Sequence, residues 1–258
     1  MFDKKKTNTV SSKTNIDETV IIGDYCVLED NVTIEAGTKI ENYVFIGENT
    51  CIGKNNKIHS FAAIGSVSQD RKYSGEPTFL NIGDGNTFRE YVSVERGNSI
   101  DSQTKIGNNN LFLTYSHVGH DCVIENNVTV GNCAGLGGHS VVMSDSRVCA
   151  HSIITPFCRI ANYSFLAANS KIVQDIIPYV TAEGNPALLR GLNIWVLKKY
   201  KRASIKTIEK IFKIIINNIN IMSDKIEQIL NIDPLDELGF VSFIKSSKYG
   251  VIDNGQFK

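Results

Sequence analysis

From Ile22 onward an aliphatic or aromatic residue stands at every sixth position. The series runs Ile22, Leu28, Ile34, Ile40, Ile46, Ile52, Ile58 and Ile64, then Ile82, Phe88, Val94, Ile100, Ile106 and Phe112, and on through Val118, Ile124, Val130, Leu136, Val142, Val148, Ile154, Ile160 and Leu166 to Ile172. Six is a multiple of the strand period of two and a poor match to the helical 3.6, so each hexapeptide supplies one short strand, one inward side chain and a turn. Three hexapeptides close a coil, and stacked coils form a solenoid in which residues three hexapeptides apart lie over one another at roughly 4.8 Å. Asn31, Gly37, Asn49, Asn55, Asn109, Asn126 and Asn127 fall between the apolar positions. These are residue types that tolerate the positive φ a tight corner demands.

The pattern changes twice. Residues 65–80 replace it with a polar stretch broken by Gly75 and Pro77, after which the count resumes in phase at Ile82. This reads as a loop projecting from one coil, and such loops often carry function. After Asp175, Pro178 and Gly184-Asn185-Pro186, apolar residues take helical spacing at Ile205, Ile208, Ile211, Phe212, Ile215, Ile219, Met222, Ile226, Ile229 and Leu230. The expected organisation is therefore a β-solenoid over 1–183 and a helical C-terminal region over 184–258, whose apolar stripe packs on the solenoid or on a neighbouring subunit.

Composition bounds the partners. Twenty-seven basic residues balance 27 acidic ones, which gives no electrostatic reason to bind nucleic acid or an anionic membrane. The run Ile211–Ile216 is too short, and too interrupted by Lys213, to span a bilayer. Lys4, Lys5 and Lys6 are followed by no apolar stretch of signal-peptide type. The six cysteines (Cys26, Cys51, Cys122, Cys133, Cys149, Cys158) show no C-x-x-C spacing and read as reduced thiols of a cytoplasmic protein.

Chemistry concentrates in Tyr115-Ser116-His117-Val118-Gly119-His120-Asp121-Cys122, which carries two of only five histidines. With Val118 inward, His117 and Gly119 point outward, and His120 and Asp121 occupy the next corner. Stacking then sets His120 over Gly138 and Asp121 over His139. A histidine base, a carboxylate able to fix its tautomer and a glycine whose N–H a substrate can approach would suit acyl transfer. His59 and His151 stand apart from this group and read as solvated residues.

Four segments carry a family resemblance: the loop Gly65 to Thr78 with its Gln69-Asp70-Arg71-Lys72-Tyr73-Ser74-Gly75-Glu76-Pro77 core, His117-Val118-Gly119-His120-Asp121-Cys122, Ala134-Gly135-Leu136-Gly137-Gly138-His139, and Gln174-Asp175 through Glu183-Gly184-Asn185. Together, over nearly the full length, they resemble the acyl-carrier-protein-dependent UDP-N-acetylglucosamine O-acyltransferases that begin lipid A synthesis. The resemblance implies an all-β left-handed parallel β-helix with a C-terminal α-helical region, assembled as a homotrimer with clefts between subunits. It implies His120 as general base toward the sugar 3-hydroxyl, Asp121 as its orienting group and Gly138 as oxyanion donor. Gln69, Asp70, Lys72, His117, His139 and Asn193 match positions lining the sugar-nucleotide and pantetheine clefts, and Ala168 matches the acyl-length ruler. The implied donor is a 3-hydroxyacyl group on acyl carrier protein, with no cofactor and no metal.

Three departures concern the nucleotide. Thr155-Pro156 stands where the family has His-Gln, Trp195 where it has an acidic residue, and Lys199-Tyr200 where it has an Arg pair. Lysine offers a point charge in place of a bidentate fork, and an indole offers a flat face for a base. The acceptor is thus UDP-N-acetylglucosamine or, in a paralogue, another nucleotide-linked amino sugar. A zinc protein of the trimeric carbonic anhydrase type, with His117, His120 and His139 as ligands, is the alternative from a different class; against it, position 122 is Cys where that family has a second spaced His. The sibling N-acyltransferase carries an additional domain ahead of its helix, and short-chain acetyltransferases lack the Gln69 to Pro77 loop.

Overall fold

A computed structural model describes residues 7–200, 208–209, 212–213, 240–248 and 250–252. Strands of mostly two residues stack into three flat sheets of nine, eight and ten strands that form the sides of a prism. The first face runs from Thr9–Val10 through His117–Val118, Gly135–Leu136 and Ile153–Ile154 to Lys171–Ile172, the second from Asn15–Ile16 to Arg159–Ile160, and the third from Ile21–Ile22 to Phe165–Leu166 and beyond. Neighbours are parallel and in register, as in His117 to Gly135 to Ile153.

The inward residues are buried along almost the whole series, each gaining about 1.5–3 kcal/mol by leaving water. The structure adds a second inward position, two residues before the first, which the six-count does not show. Val44, Ala62, Val92, Ser116, Ala134 and Ser152 fill it on the first face. On the third face Asn56, Asn86 and Asn110 fill it, and each amide accepts the backbone N–H one coil on (Asn86, Asn110 and Val128) at 2.7–2.9 Å. Buried amides are tolerated there because the ladder satisfies them.

Corners place a non-glycine residue in the left-handed region in nearly every turn, including Asn31, Asn49, Asn55, Asn109 and Asn127. Asn126 is an exception to the expectation: its φ is ordinary, and its side chain accepts the Asn108 N–H at 2.7 Å. One corner uses aromatic residues instead, with Tyr25, Tyr43, Phe61, Tyr91 and Tyr115 stacked at 4.8–5.2 Å. Ring stacking between coils offsets the cost of positive φ in bulky residues.

Two insertions interrupt the prism. Ile64 pairs with Val94, 30 residues on, because the chain between Ser66 and Phe79 leaves the coil as the expected loop. Val94 then pairs with Val118 and Ile82 with Ile106, a step of 24 residues where 18 is regular. Residues 96–102 are thus a second excursion, and Ile100, expected to point inward, is 68% exposed upon it. An insertion of six residues preserves the phase, so counting in sixes passes over it.

The β structure continues past 183. Val180–Gly184 joins the third face and pairs antiparallel with Ala187–Leu192, and helix α1, Ile194–Tyr200, follows. Helix α2, Phe240–Lys245, is held to the last coil by Arg159. Its guanidinium bonds Asp175 at 2.7 and 2.8 Å and the Phe243 carbonyl at 3.0 Å, and lies 4.3 Å over the Phe243 ring. Of the expected helical stripe, Ile208 is buried and Phe212 packs against the core; Ile205, Ile211, Ile215, Ile219, Met222, Ile226, Ile229 and Leu230 lie outside the described residues.

Candidate active site

His120 sits at the corner between the first and second faces, just after strand His117–Val118. Its Nδ1 lies 2.9 Å from Asp121 Oδ2. A carboxylate there draws the proton onto Nδ1 and leaves the lone pair on Nε2, an assignment made from the bond partner. Asp121 takes φ 57°, which a short polar residue accepts readily. The same Oδ2 accepts the Asn98 N–H at 3.1 Å and lies 3.7 Å from His139 Nε2. His139 meets the His120 ring edge-on at 5.0 Å and stacks on Phe157 at 4.6 Å.

Nε2 faces Gly138, one coil above, so closely that a Cβ there would overlap the imidazole. Gly137 N–H donates to Ile154 O and His139 N–H to His120 O. Among the described residues Gly138 N–H donates to no protein acceptor, which leaves a backbone donor beside the histidine lone pair. Asp70 of the projecting loop brings Oδ2 to 3.9 Å from Nε2. His117 Nδ1 bonds Ser93 Oγ at 2.8 Å, and burial pushes the His117 pKa below the ordinary imidazole value, with the Glu95 carboxylate pulling the other way.

Asp70, His117, His120 and Gly138 line a cleft of about 490 Å³ with two unlike ends, while Asp121 and His139 are not part of its lining. Gln69, Asp70, His117 and His120 form a polar end; Leu136, Ile153, Ile154 and Pro156 form an apolar one, where Gly135 leaves open space above the sheet. A nucleophile's proton can be taken at Nε2, an oxyanion met at the Gly138 N–H, and an aliphatic chain laid along the first face.

Known proteins resemble this chain in sequence and in fold. Residues 175–252 match the second-domain model of UDP-N-acetylglucosamine O-acyltransferase, and residues 103–138 match the bacterial transferase hexapeptide (six repeats) model. An acyl-[acyl-carrier-protein]–UDP-N-acetylglucosamine O-acyltransferase of Thermodesulfovibrio yellowstonii is 37% identical over 97% of this chain and 99% of its own. That of Janthinobacterium sp. (strain Marseille) is 39% identical over 81% of each. This chain belongs to that O-acyltransferase family. Among solved structures, LpxA from Acinetobacter baumannii superposes with a TM-score of 0.92 at 35% identity, covering 96% of this chain and 98% of that one. The UDP-N-acetylglucosamine acyltransferase of Francisella novicida gives 0.94 at 29%, covering 98% and 94%. The fold is accordingly the left-handed parallel β-helix of these enzymes.

Not every residue expected from the O-acyltransferase family joins the cleft. Lys72 is exposed on the loop, where its N–H donates to Asp70 Oδ1 at 2.9 Å. Asn193 and Trp195 lie on the third face at a separate cavity of about 460 Å³ lined also by Asp145, Arg147 and Phe165, and Lys199 reaches the Trp195 ring from outside that lining. Asn193 precedes α1, and its Nδ2 donates to Tyr163 O at 2.8 Å. Trp195 is 55% exposed, with the Arg147 guanidinium 5.1 Å and Lys199 Nζ 4.9 Å from its ring centroid. Ala168 is exposed at another corner and outside both cavities. Thr155 and Pro156 line the apolar end of the first cleft, the Thr155 hydroxyl donating to Ile172 O at 2.9 Å.

Sequence reasoning missed Glu95, Ser93, Asn98 and Arg147, each of which becomes visible only through cross-coil contacts. It also grouped the donors differently. The nitrogen or oxygen atoms of His120, Asp121 and His139 lie within 4.8 Å of one another, while His117 is turned to Ser93 and Glu95.

Proposed function

We propose that the protein transfers a fatty acyl group, 3-hydroxylated by family analogy, from acyl carrier protein to the 3-hydroxyl of UDP-N-acetylglucosamine, the first step of lipid A synthesis. The reading is carried by His120, bonded to Asp121 and facing Gly138 at the polar mouth of an apolar cleft. His120 Nε2 removes the hydroxyl proton as the sugar oxygen bonds to the thioester carbonyl carbon, while Asp121 supports the imidazolium. The carbonyl oxygen becomes an oxyanion held by Gly138 N–H. Collapse breaks the carbon–sulfur bond, and the departing thiolate takes the proton from His120. A positioned base contributes about 10²–10⁴ in rate and an oxyanion donor about 10²–10³. One proton is relayed and no atom changes oxidation state, so the chemistry itself calls for no redox cofactor.

Gln69, Asp70, Lys72, His117 and His139 are assigned to the acyl-donor and sugar subsites, and Asn193, Trp195 and Lys199 to the nucleotide. The two groups lie on different faces of one prism, which supports a homotrimer in which the third face of one subunit meets the first face of another. Ala168 is assigned as the acyl ruler on the same basis, its reach to the chain end coming across that interface. Six free cysteines and the use of acyl carrier protein support a cytoplasmic site of action. Among the described residues no helix is long and apolar enough to cross a membrane.

A paralogue acting on another nucleotide-linked amino sugar is the second reading, favoured by the Trp195, Arg147 and Lys199 group. A mass-spectrometric transfer assay with 3-hydroxyacyl carrier proteins and a panel of nucleotide-linked sugars separates the two. Acylated UDP-N-acetylglucosamine as main product establishes the first; product only with another sugar nucleotide establishes the second; none with any overturns both.

A further inference from the structure

Glu95 closes strand Ser93–Glu95 with its side chain only 3% exposed. A carboxylate so buried persists only where its lone pairs are met, and three hydrogen bonds meet them here. Oε1 accepts from Gln69 Nε2 at 2.5 Å and lies 3.6 Å from His117 Nε2. Oε2 accepts the His120 N–H at 3.2 Å and the Gln69 N–H at 3.4 Å. A carboxylate offers about four acceptor positions, and with three bonded and the His117 imidazole beside Oε1, no more than one is left for a substrate. Nor does it act on the reacting nitrogen, since the carboxylate nearest His120 Nε2 is that of Asp70.

What Glu95 joins is more telling. Gln69 and Asp70 belong to the first insertion, and His120 to the catalytic corner; one buried side chain bonds both. The backbone around it repeats the connection, for Arg96 N–H donates to Ser66 O at the root of the loop and Asn98 N–H to Asp121 Oδ2. We propose that Glu95 is a positioning residue for acyl transfer, pinning Gln69 and His120 to one carboxylate so that Asp70 and the histidine base face each other across the cleft. This rests on the reading of His120 as the base.

Geometry, and not charge, is what such a residue supplies, and that separates the variants. In Glu95→Gln the amide oxygen still accepts the His120 N–H, and the new amino group bonds Gln69 once that side chain turns its own oxygen inward. In Glu95→Asp the charge stays but the reach shortens by one methylene. The test measures kcat and KM for the sugar nucleotide, with amide hydrogen exchange at His120 and Gln69, in the full-length protein. The expected result is Glu95→Gln within about 3-fold of wild type, and Glu95→Asp down about 10- to 100-fold in kcat, as a misplaced catalytic group costs, with faster exchange at both amides. Glu95→Asp more active than Glu95→Gln overturns the proposal, as does fast exchange in Glu95→Asp with kcat and KM unchanged. A wild-type protein with no transfer to any sugar nucleotide overturns the functional reading instead, while the exchange comparison still reads the tether.

Discussion

Gly138 lies directly over the His120 imidazole, near enough that any side chain at 138 would displace the ring. The backbone there is not left-handed, so alanine fits the chain and offends only the histidine. To clear the methyl group the ring must rotate off Asp121, and Nε2 moves with it. Gly138→Ala should therefore leave thermal stability within about 1 kcal/mol of wild type and lower kcat/KM by about 100-fold, the cost of a reacting group misplaced by an ångström. Melting curves beside steady-state rates read the two effects apart. Equal loss of both would mean that Gly138 serves the fold.

His120→Ala removes the proposed base, and turnover should fall by about 10²–10⁴ with the coil intact. Asp121→Asn asks a finer question. The amide can keep a bond to Nδ1 by donating to it, which would shift the proton to Nε2 and leave the wrong nitrogen facing the acceptor hydroxyl. Loss approaching that of His120→Ala, with acceptor KM little changed, is the expected outcome; a rate within 3-fold of wild type would show that tautomer control at Nδ1 is not needed.

The period-six residues made the prism legible, because an inward side chain every hexapeptide has no other economical packing, and the same arithmetic put His120 under Gly138 and Asp121 under His139. Ile100 shows where it stops: a six-residue excursion leaves the phase intact, so only exposure reveals it. Tyr25, Tyr43, Phe61, Tyr91 and Tyr115 were illegible as corner residues because their tolerance of positive φ comes from stacking between coils, which no single hexapeptide contains. Glu95 escaped for the same reason, since its partners Gln69 and His120 stand 26 and 25 residues away. Asn193, Trp195 and Lys199 were found by family likeness, yet their distance from His120 on the prism had to come from the coordinates.

Trp195 carries the nucleotide question. Its ring lines an open cavity with Arg147, and Lys199 Nζ lies 4.9 Å from its centroid, so in the proposed role the indole meets a base and the cations a diphosphate. Stacking and cation–π contacts of this kind contribute about 0.5–2 kcal/mol, so Trp195→Ala should raise KM for the sugar nucleotide roughly 3- to 30-fold at unchanged kcat. Titration calorimetry with the free nucleoside diphosphate checks it independently. An unchanged dissociation constant would make Trp195 a packing residue.

His117 links the site to pH. Burial opposes its imidazolium form, the Glu95 carboxylate 3.6 Å away favours it, and burial prevails, so the folded chain binds this proton less tightly than the unfolded chain. In the unfolded chain an imidazole titrates at about 6.5. The unfolded state therefore takes up more protons as pH falls below that value, and stability that is whole above it declines toward the lower folded pKa. His117→Gln, which can keep a bond to Ser93, has no proton to gain, and the fall in melting temperature between pH 7.5 and 5.5 should shrink relative to wild type. Glu95→Gln removes the opposing attraction and should steepen the same fall. Parallel melting profiles in all three proteins would show that the His117 proton is not coupled to folding, and a steeper one in His117→Gln would reverse the assigned sign.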